Sequence, residues 1–133
     1  MSLYAFALMS HHLHTIVLPR DRSISELLQN FGSFTAHKIL RKLKDDNQKE
    51  LLAFFHSQRH DIREQHGIWQ DIQAKNIHSE KFLSQKMEYI HQNPVAKESN
   101  FEHNRSAYLY SSACFYDEGR KPVMEIDDIR EIL

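Results

Sequence analysis

Apolar side chains open this chain in two short runs. Residues 3–9 (LYAFALM) and 12–18 (HLHTIVL) flank a polar break at Ser10-His11. The pattern predicts two adjacent strands joined by a tight turn. Pro19, in the stretch Pro19-Arg20-Asp21-Arg22, ends the second strand because proline cannot donate to a ladder.

The spacing then changes to a helical one. Ile24, Leu27, Leu28, Phe31, Phe34, Ile39, Leu40 and Leu43 predict an amphipathic helix, with Ser23 or Ser25 as N-cap and a weak middle at Gly32 and Thr35. Residues 48–60 (QKELLAFFHSQRH) predict a second helix or a continuation of the first, and residues 67–72 (GIWQDI) a short strand. Ser79 caps a helix that runs to about Asn93, where Pro94 disfavours helical geometry in the residue before it. Residues 108–116 and 123–133 predict a packed tail with a last short strand or helix. No repeat, low-complexity tract or Gly/Ser linker divides the chain. The expectation is one α+β domain over residues 1–133, built on an antiparallel sheet.

Composition narrows the function classes. A chain of 133 residues with 41% hydrophobic and 26% charged side chains fits a soluble globular domain with one core. The formal net charge of −1 means that a polyanionic partner must be met by a local basic patch. One cysteine, Cys114, forms no internal disulfide and has no activating cation nearby in sequence, so the chain reads as cytoplasmic and the thiol as inert. No segment fits a secretory signal or approaches the ~20 apolar residues of a membrane span. Ten histidines are the compositional anomaly.

Two of them sit where alternation makes them a pair. Side chains two apart on a strand share a face, so His12 and His14 lie together, while His11 falls in the turn. Such a pair suits a metal, or is simply polar and solvent-facing. On the predicted helix before Pro94, Tyr89 and Asn93 are four apart and share a face with Lys86. A phenol with a pKa of ~10 needs a polarised target or a neighbouring cation to act as a nucleophile. Asn93 offers a hard oxygen ligand and Lys86 a charge for a phosphate; the plainer alternative is core packing and ordinary helix ending.

Lys38, Arg41 and Lys42 share another helix face, a candidate phosphate surface or a solvated face balanced by Asp45, Asp46 and Glu50. Arg20 and Arg22 follow the histidine strand and are candidate phosphate contacts, or part of a charged loop. His56 and His60 read as a surface pair rather than a metal clamp. Trp69 and the tyrosines Tyr108, Tyr110 and Tyr116 read as core cover more readily than as base-stacking residues.

Taken together, "ALMSHHLHTIV", "IWQD", "KMEYIHQNPV" and "YLYSSACFY", in this order, resemble the REP-associated tyrosine transposases and the related small single-tyrosine HUH insertion-sequence transposases. The resemblance covers nearly all of the chain. It implies a ferredoxin-like antiparallel sheet with helices on one face. It implies His12 and His14 as metal ligands joined by Asn93, Tyr89 as nucleophile, and Mg²⁺ or Mn²⁺ as cofactor. It also implies single-stranded or hairpin DNA as substrate, a DNA strand-transfer (transposition) reaction, and a homodimer. The chain departs from the family pattern in three places. His11 stands where an asparagine is usual, "AKESNF" replaces a Gly-containing stretch, and the usual first strand and helix do not precede Tyr4. That strand would be central, beside the histidine strand, so the expectation is a shortened sheet completed by a dimer partner. Two rival expectations stand beside the enzyme: a catalytically inactive DNA-binding relative, and a structural metal-binding or oligomerisation module.

Overall fold

The computed structural model describes residues 1–59, 67–96 and 102–133. It is α+β, and the chain forms two compact units: Met1–Asp21 with Asn76–Leu133, and Arg22–Lys75. The first holds strands β1 (Ser2–Leu8) and β2 (Leu13–Leu18) and helices α3 (Glu80–Gln92) and α4 (Ala113–Glu118); the second holds α1 (Ile24–Asp45) and α2 (Lys49–Ser57).

In the first unit β1 and β2 pair antiparallel, with Ala7 opposite His14, Phe6 opposite Thr15 and Leu8 opposite Leu13. The reversal spans Ser10-His11 and is closed by the Met9 N–H donating to His12 O at 2.8 Å. This is the hairpin that the two apolar runs predict. Its other edge, along β1, is closed by the tail of the same chain. Leu8 N–H donates to Tyr110 O at 2.8 Å and Ser112 N–H to Phe6 O at 3.0 Å. The hydroxyls of Tyr116 and Tyr108 donate to Tyr4 O and Leu8 O, each at 2.7 Å. The tail is thus needed to satisfy a strand that would otherwise bury unpaired carbonyls. Along the outer edge of β2, among the described residues, no backbone hydrogen bond arrives from outside the hairpin.

Tyr4, Ala5, Ala7 and Ile16 of the hairpin pack with Leu83 and Ile90 of α3 and with Ile129 into the core of this unit. Burying each of the larger aliphatic side chains, Ile16, Leu83, Ile90 and Ile129, contributes roughly 1.5–3 kcal/mol. Ser79 caps α3, accepting from the Phe82 N–H at 3.2 Å. The helix ends at Gln92, yet Asn93 keeps right-handed helical angles (φ −51°, ψ −45°) and starts a 3-10 turn through Val95. The proline therefore tightens the helix end without turning Asn93 away. The tail finishes in a short 3-10 helix, Ile129–Glu131, the helical one of the two expected endings.

In the second unit Ser23, not Ser25, caps α1, in a capping box with Glu26. The helix runs 22 residues without a break through Gly32 and Thr35. Both weak positions serve the packing of residues 67–72: the Thr35 hydroxyl donates to Phe31 O at 2.7 Å and accepts from Trp69 Nε1 at 2.8 Å. A Cβ on Gly32 would come within 2.9 Å of Ile72 Cδ1. Residues 67–72 are therefore not the expected strand; they form an irregular segment laid on α1. Asn47, at φ 55°, separates α1 from α2, so α2 is a second helix and not a continuation. Among the described residues no helix is long and apolar enough to cross a membrane.

Candidate active site

The hairpin presents its histidines as the alternation predicts. The rings of His12 and His14 lie parallel, 5° apart in plane, with centroids separated by 6.0 Å. His11 packs against His12 at 4.3 Å from the turn, with its Nδ1 2.8 Å from Ser10 Oγ. Metal–nitrogen bonds of about 2.1 Å would draw two ring nitrogens to roughly 3–3.4 Å, so the rings would turn toward each other to share one ion.

The helix α3 brings the phenol to the same place. Tyr89 meets His14 edge-on, ring centroids 5.6 Å apart, and is 52% exposed, so substrate has access to it. Lys86 joins them, with Nζ 5.3 Å from the Tyr89 ring centre and 5.1 Å from that of Phe82. Burial, then the neighbouring His12 and Lys86, hold the His14 pKa below its ordinary value. At neutral pH His14 therefore keeps a free lone pair, as a metal ligand must.

Asn93 stands one turn after Tyr89. Its Nδ2 is buried and, among the described residues, has no hydrogen-bond partner. Leaving such a donor unpaired costs about 1–3 kcal/mol. Among the described residues no three His, Cys, Asp or Glu side chains cluster as a metal site. The Asn93 amide oxygen is of the neutral, hard type that could join His12 and His14 on a cation. The donor set suits a divalent cation with open coordination positions.

The arginines and lysines divide. Lys86 is at the site. Arg20 is not: its guanidinium donates twice to Ser2 Oγ, at 3.1 and 2.7 Å, and Ser2 pairs with Leu18 at the far end of the hairpin. Six residues of extended chain, about 20 Å, separate Arg20 from His14. Arg20 therefore stands apart from the histidine pair and braces the open end of the ladder. Arg22, Lys38, Arg41 and Lys42 belong to the second unit and are exposed. There Lys42 is engaged by Asp46 at 2.7 Å and Lys38 lies over the Phe34 ring at 5.5 Å. His60 lies outside the described residues, as do residues 97–101 of the "AKESNF" stretch. Tyr108 and Tyr116 anchor β1 as core cover, whereas Tyr110 is 51% exposed, contrary to expectation.

Three functional-looking residues escaped the sequence reading. His91 is 3% exposed, with Nε2 2.8 Å from the fully buried Ser112 Oγ. Burial, chiefly, with Arg105 nearby, lowers the His91 pKa to about 4, so the ring is neutral. Arg105 grips Asp117 through two hydrogen bonds, at 2.7 and 2.8 Å, and Glu88 of α3 at 2.7 Å. The signal for His91 was its place on the apolar stripe Leu83, Met87, Ile90, where a polar residue needs a buried partner. Arg105 carried no such signal.

Comparison of the chain with protein-family models, with curated proteins and with solved structures gives no match.

Proposed function

We propose that this protein is a metal-dependent single-stranded DNA endonuclease and strand transferase of the HUH tyrosine type, working on single-stranded or hairpin DNA. The observation that carries the reading is the meeting of Tyr89 with His14, itself paired with His12, where Lys86 also lies against the phenol, with Asn93 one helical turn on from Tyr89. In this reading His12, His14 and Asn93 hold the ion, and the two-stranded hairpin with α3 is the heart of a ferredoxin-like sheet.

A bound divalent cation, Mg²⁺ or Mn²⁺, supplies Lewis-acid polarisation of the scissile phosphate. The chain supplies the rest. The phenol oxygen of Tyr89 attacks phosphorus, an O–P bond forms and the bond to the 3′ oxygen breaks. The phenol proton leaves to solvent and the departing 3′ oxygen takes one up, giving a 5′-phosphotyrosine and a free 3′-hydroxyl. Lys86 favours the developing phenolate and the phosphate charge beside it. The covalent link conserves the phosphodiester bond, so a second 3′-hydroxyl can reverse the step without another energy source.

The test is a single-turnover incubation of the protein with 3′-labelled single-stranded oligonucleotides and Mn²⁺. Label should travel with the protein after denaturation, and Tyr89→Phe should abolish that transfer. Salt-sensitive DNA binding without an adduct would leave a DNA-binding protein only, and no binding would remove DNA from the account.

A further inference from the structure

The reading above asks α3 to deliver a phenol to a fixed point, and the core contacts of α3 do not by themselves specify that point. Leu83 and Ile90 give adhesion without direction, because apolar burial is non-directional. Rotation matters: at a helix's outer radius of about 5–6 Å, turning by about 10° moves a side chain by roughly 1 Å. Misplacement on that scale is enough to cost about a hundredfold in rate.

We propose that His91 and Ser112 form the positioning contact that sets the rotation of the tyrosine helix against the histidine strand. This rests on the proposed strand-transfer site and adds two residues to it. His91 follows Tyr89 by two residues, so it projects from nearly the opposite side of α3. The contact acts behind the phenol, where a small rotation must break it. Ser112 Oγ is the fixed end. It accepts the Phe6 N–H at 3.0 Å, and Ser112 N–H donates to Phe6 O at 3.0 Å, so the hydroxyl is built into the edge of β1. Phe6 precedes Ala7, and Ala7 is the register partner of His14. The chain of contacts therefore closes on itself: Tyr89 to His14, across the ladder to Ala7 and Phe6, through Ser112 Oγ to His91, and back along α3 to Tyr89.

Both ends are buried, His91 at 3% and Ser112 at 0% exposure, so water does not substitute for either. The other polar tie of α3, Glu88 to Arg105, has its glutamate 60% exposed and is the softer of the two. His91 and Ser112 touch neither metal nor substrate in this scheme; they are positioning residues.

His91→Phe keeps a flat aromatic ring, slightly larger, and removes the hydrogen bond, while His91→Gln offers an amide at the reach of Nε2. Ser112→Cys weakens the contact from the other side and serves if the phenylalanine variant does not fold. Two readouts are taken. The first is the single-turnover rate of adduct formation beside oligonucleotide affinity. The second is the nuclear Overhauser effect between the Tyr89 and His14 rings in the DNA-free, metal-free protein.

For His91→Phe we expect a rate about 10–100-fold lower, with DNA affinity within twofold and a lost or weakened ring-to-ring effect. Glutamine should restore most of the rate and the ring contact, and Ser112→Cys should fall between. A folded His91→Phe or Ser112→Cys with the wild-type ring contact overturns the proposal, as does a wild-type rate. If the wild-type protein forms no adduct, the strand-transfer reading fails alone, and the ring contact still decides whether His91 orients Tyr89.

Discussion

Lys86 is the residue at which electrostatics and chemistry can be separated. Its ammonium lies against the Tyr89 ring and is one of the causes that lower the His14 pKa, after burial and His12. Lys86→Met keeps the aliphatic stem and removes the charge. The His14 pKa should rise in that variant but stay below 6.5, since burial and His12 remain; the pH dependence of the His14 ring proton shifts measures it. Adduct formation should slow by roughly 10–100-fold, the scale of one charge-assisted hydrogen bond.

His91 makes the opposite kind of contribution, to folding rather than to reaction. Its pKa in the folded chain is about 4 against an ordinary 6.5, so between those values the unfolded chain binds more protons. Stability from this group is fully present above 6.5 and drains away as pH falls toward 4, by at most about 3 kcal/mol. Below that, Asp117 and Glu88, both held low by hydrogen bonds from Arg105, begin to lose theirs. Denaturant midpoints across this range should fall with acid in wild type. The upper part of the fall should be missing from His91→Gln.

Among the elements, α1 and its covering segment make a paired prediction from two glycines. In the middle of a helix Gly32→Ala gains about 0.5–1 kcal/mol of helix propensity. The new Cβ meets only the tip of a half-exposed isoleucine, Ile72 Cδ1 at 2.9 Å, which can turn aside. Gly67→Ala instead drives a Cβ to 2.1 Å from the backbone oxygen of Gln58, where nothing can yield without moving main chain. The first should raise the melting temperature by about 2–4 °C and the second lower it by several degrees or more. Trp69, the only tryptophan and a neighbour of both sites, reports the melt by fluorescence.

The same elements show what could be read in advance. The hairpin, the Ser79 cap and the α3 face bearing Lys86, Tyr89 and Asn93 follow from periods of two and of three to four residues, which are local. The segment at 67–72 was misread because β-rich composition there serves docking on α1, a contact 34 residues away for Trp69 and Thr35. The tail's role on β1 was illegible for the same reason: Ser112 and Phe6 are 106 residues apart, and nothing local marks a serine as the partner of a strand.

For the whole molecule, the unbalanced feature is the outer edge of β2. Thr15 sits opposite Phe6 in the ladder. Both the Phe6 N–H and its carbonyl are taken by Ser112 on the other side. Phe6 and Thr15 are thus a pair that exchange no hydrogen bonds, and the Thr15 N–H and C=O point outward from the sheet. An exposed strand edge of this kind is a template for another strand, and a second copy adding its own β2 would complete it, in line with the homodimer that the family resemblance implies. Thr15→Pro tests this with little effect inside the chain, because the lost N–H donates nothing to β1 and proline is tolerated on edge strands. Wild type should sediment as a dimer at micromolar concentrations and the proline variant as a monomer. Adduct formation with excess single-stranded DNA should survive the change, since Tyr89, His12, His14 and Asn93 all come from one chain. Loss of the adduct in a folded monomeric Thr15→Pro would instead mean that the working site draws on both copies. A wild-type protein that stays monomeric, with slow amide exchange at Thr15, would mean that this edge is covered by the protein's own chain.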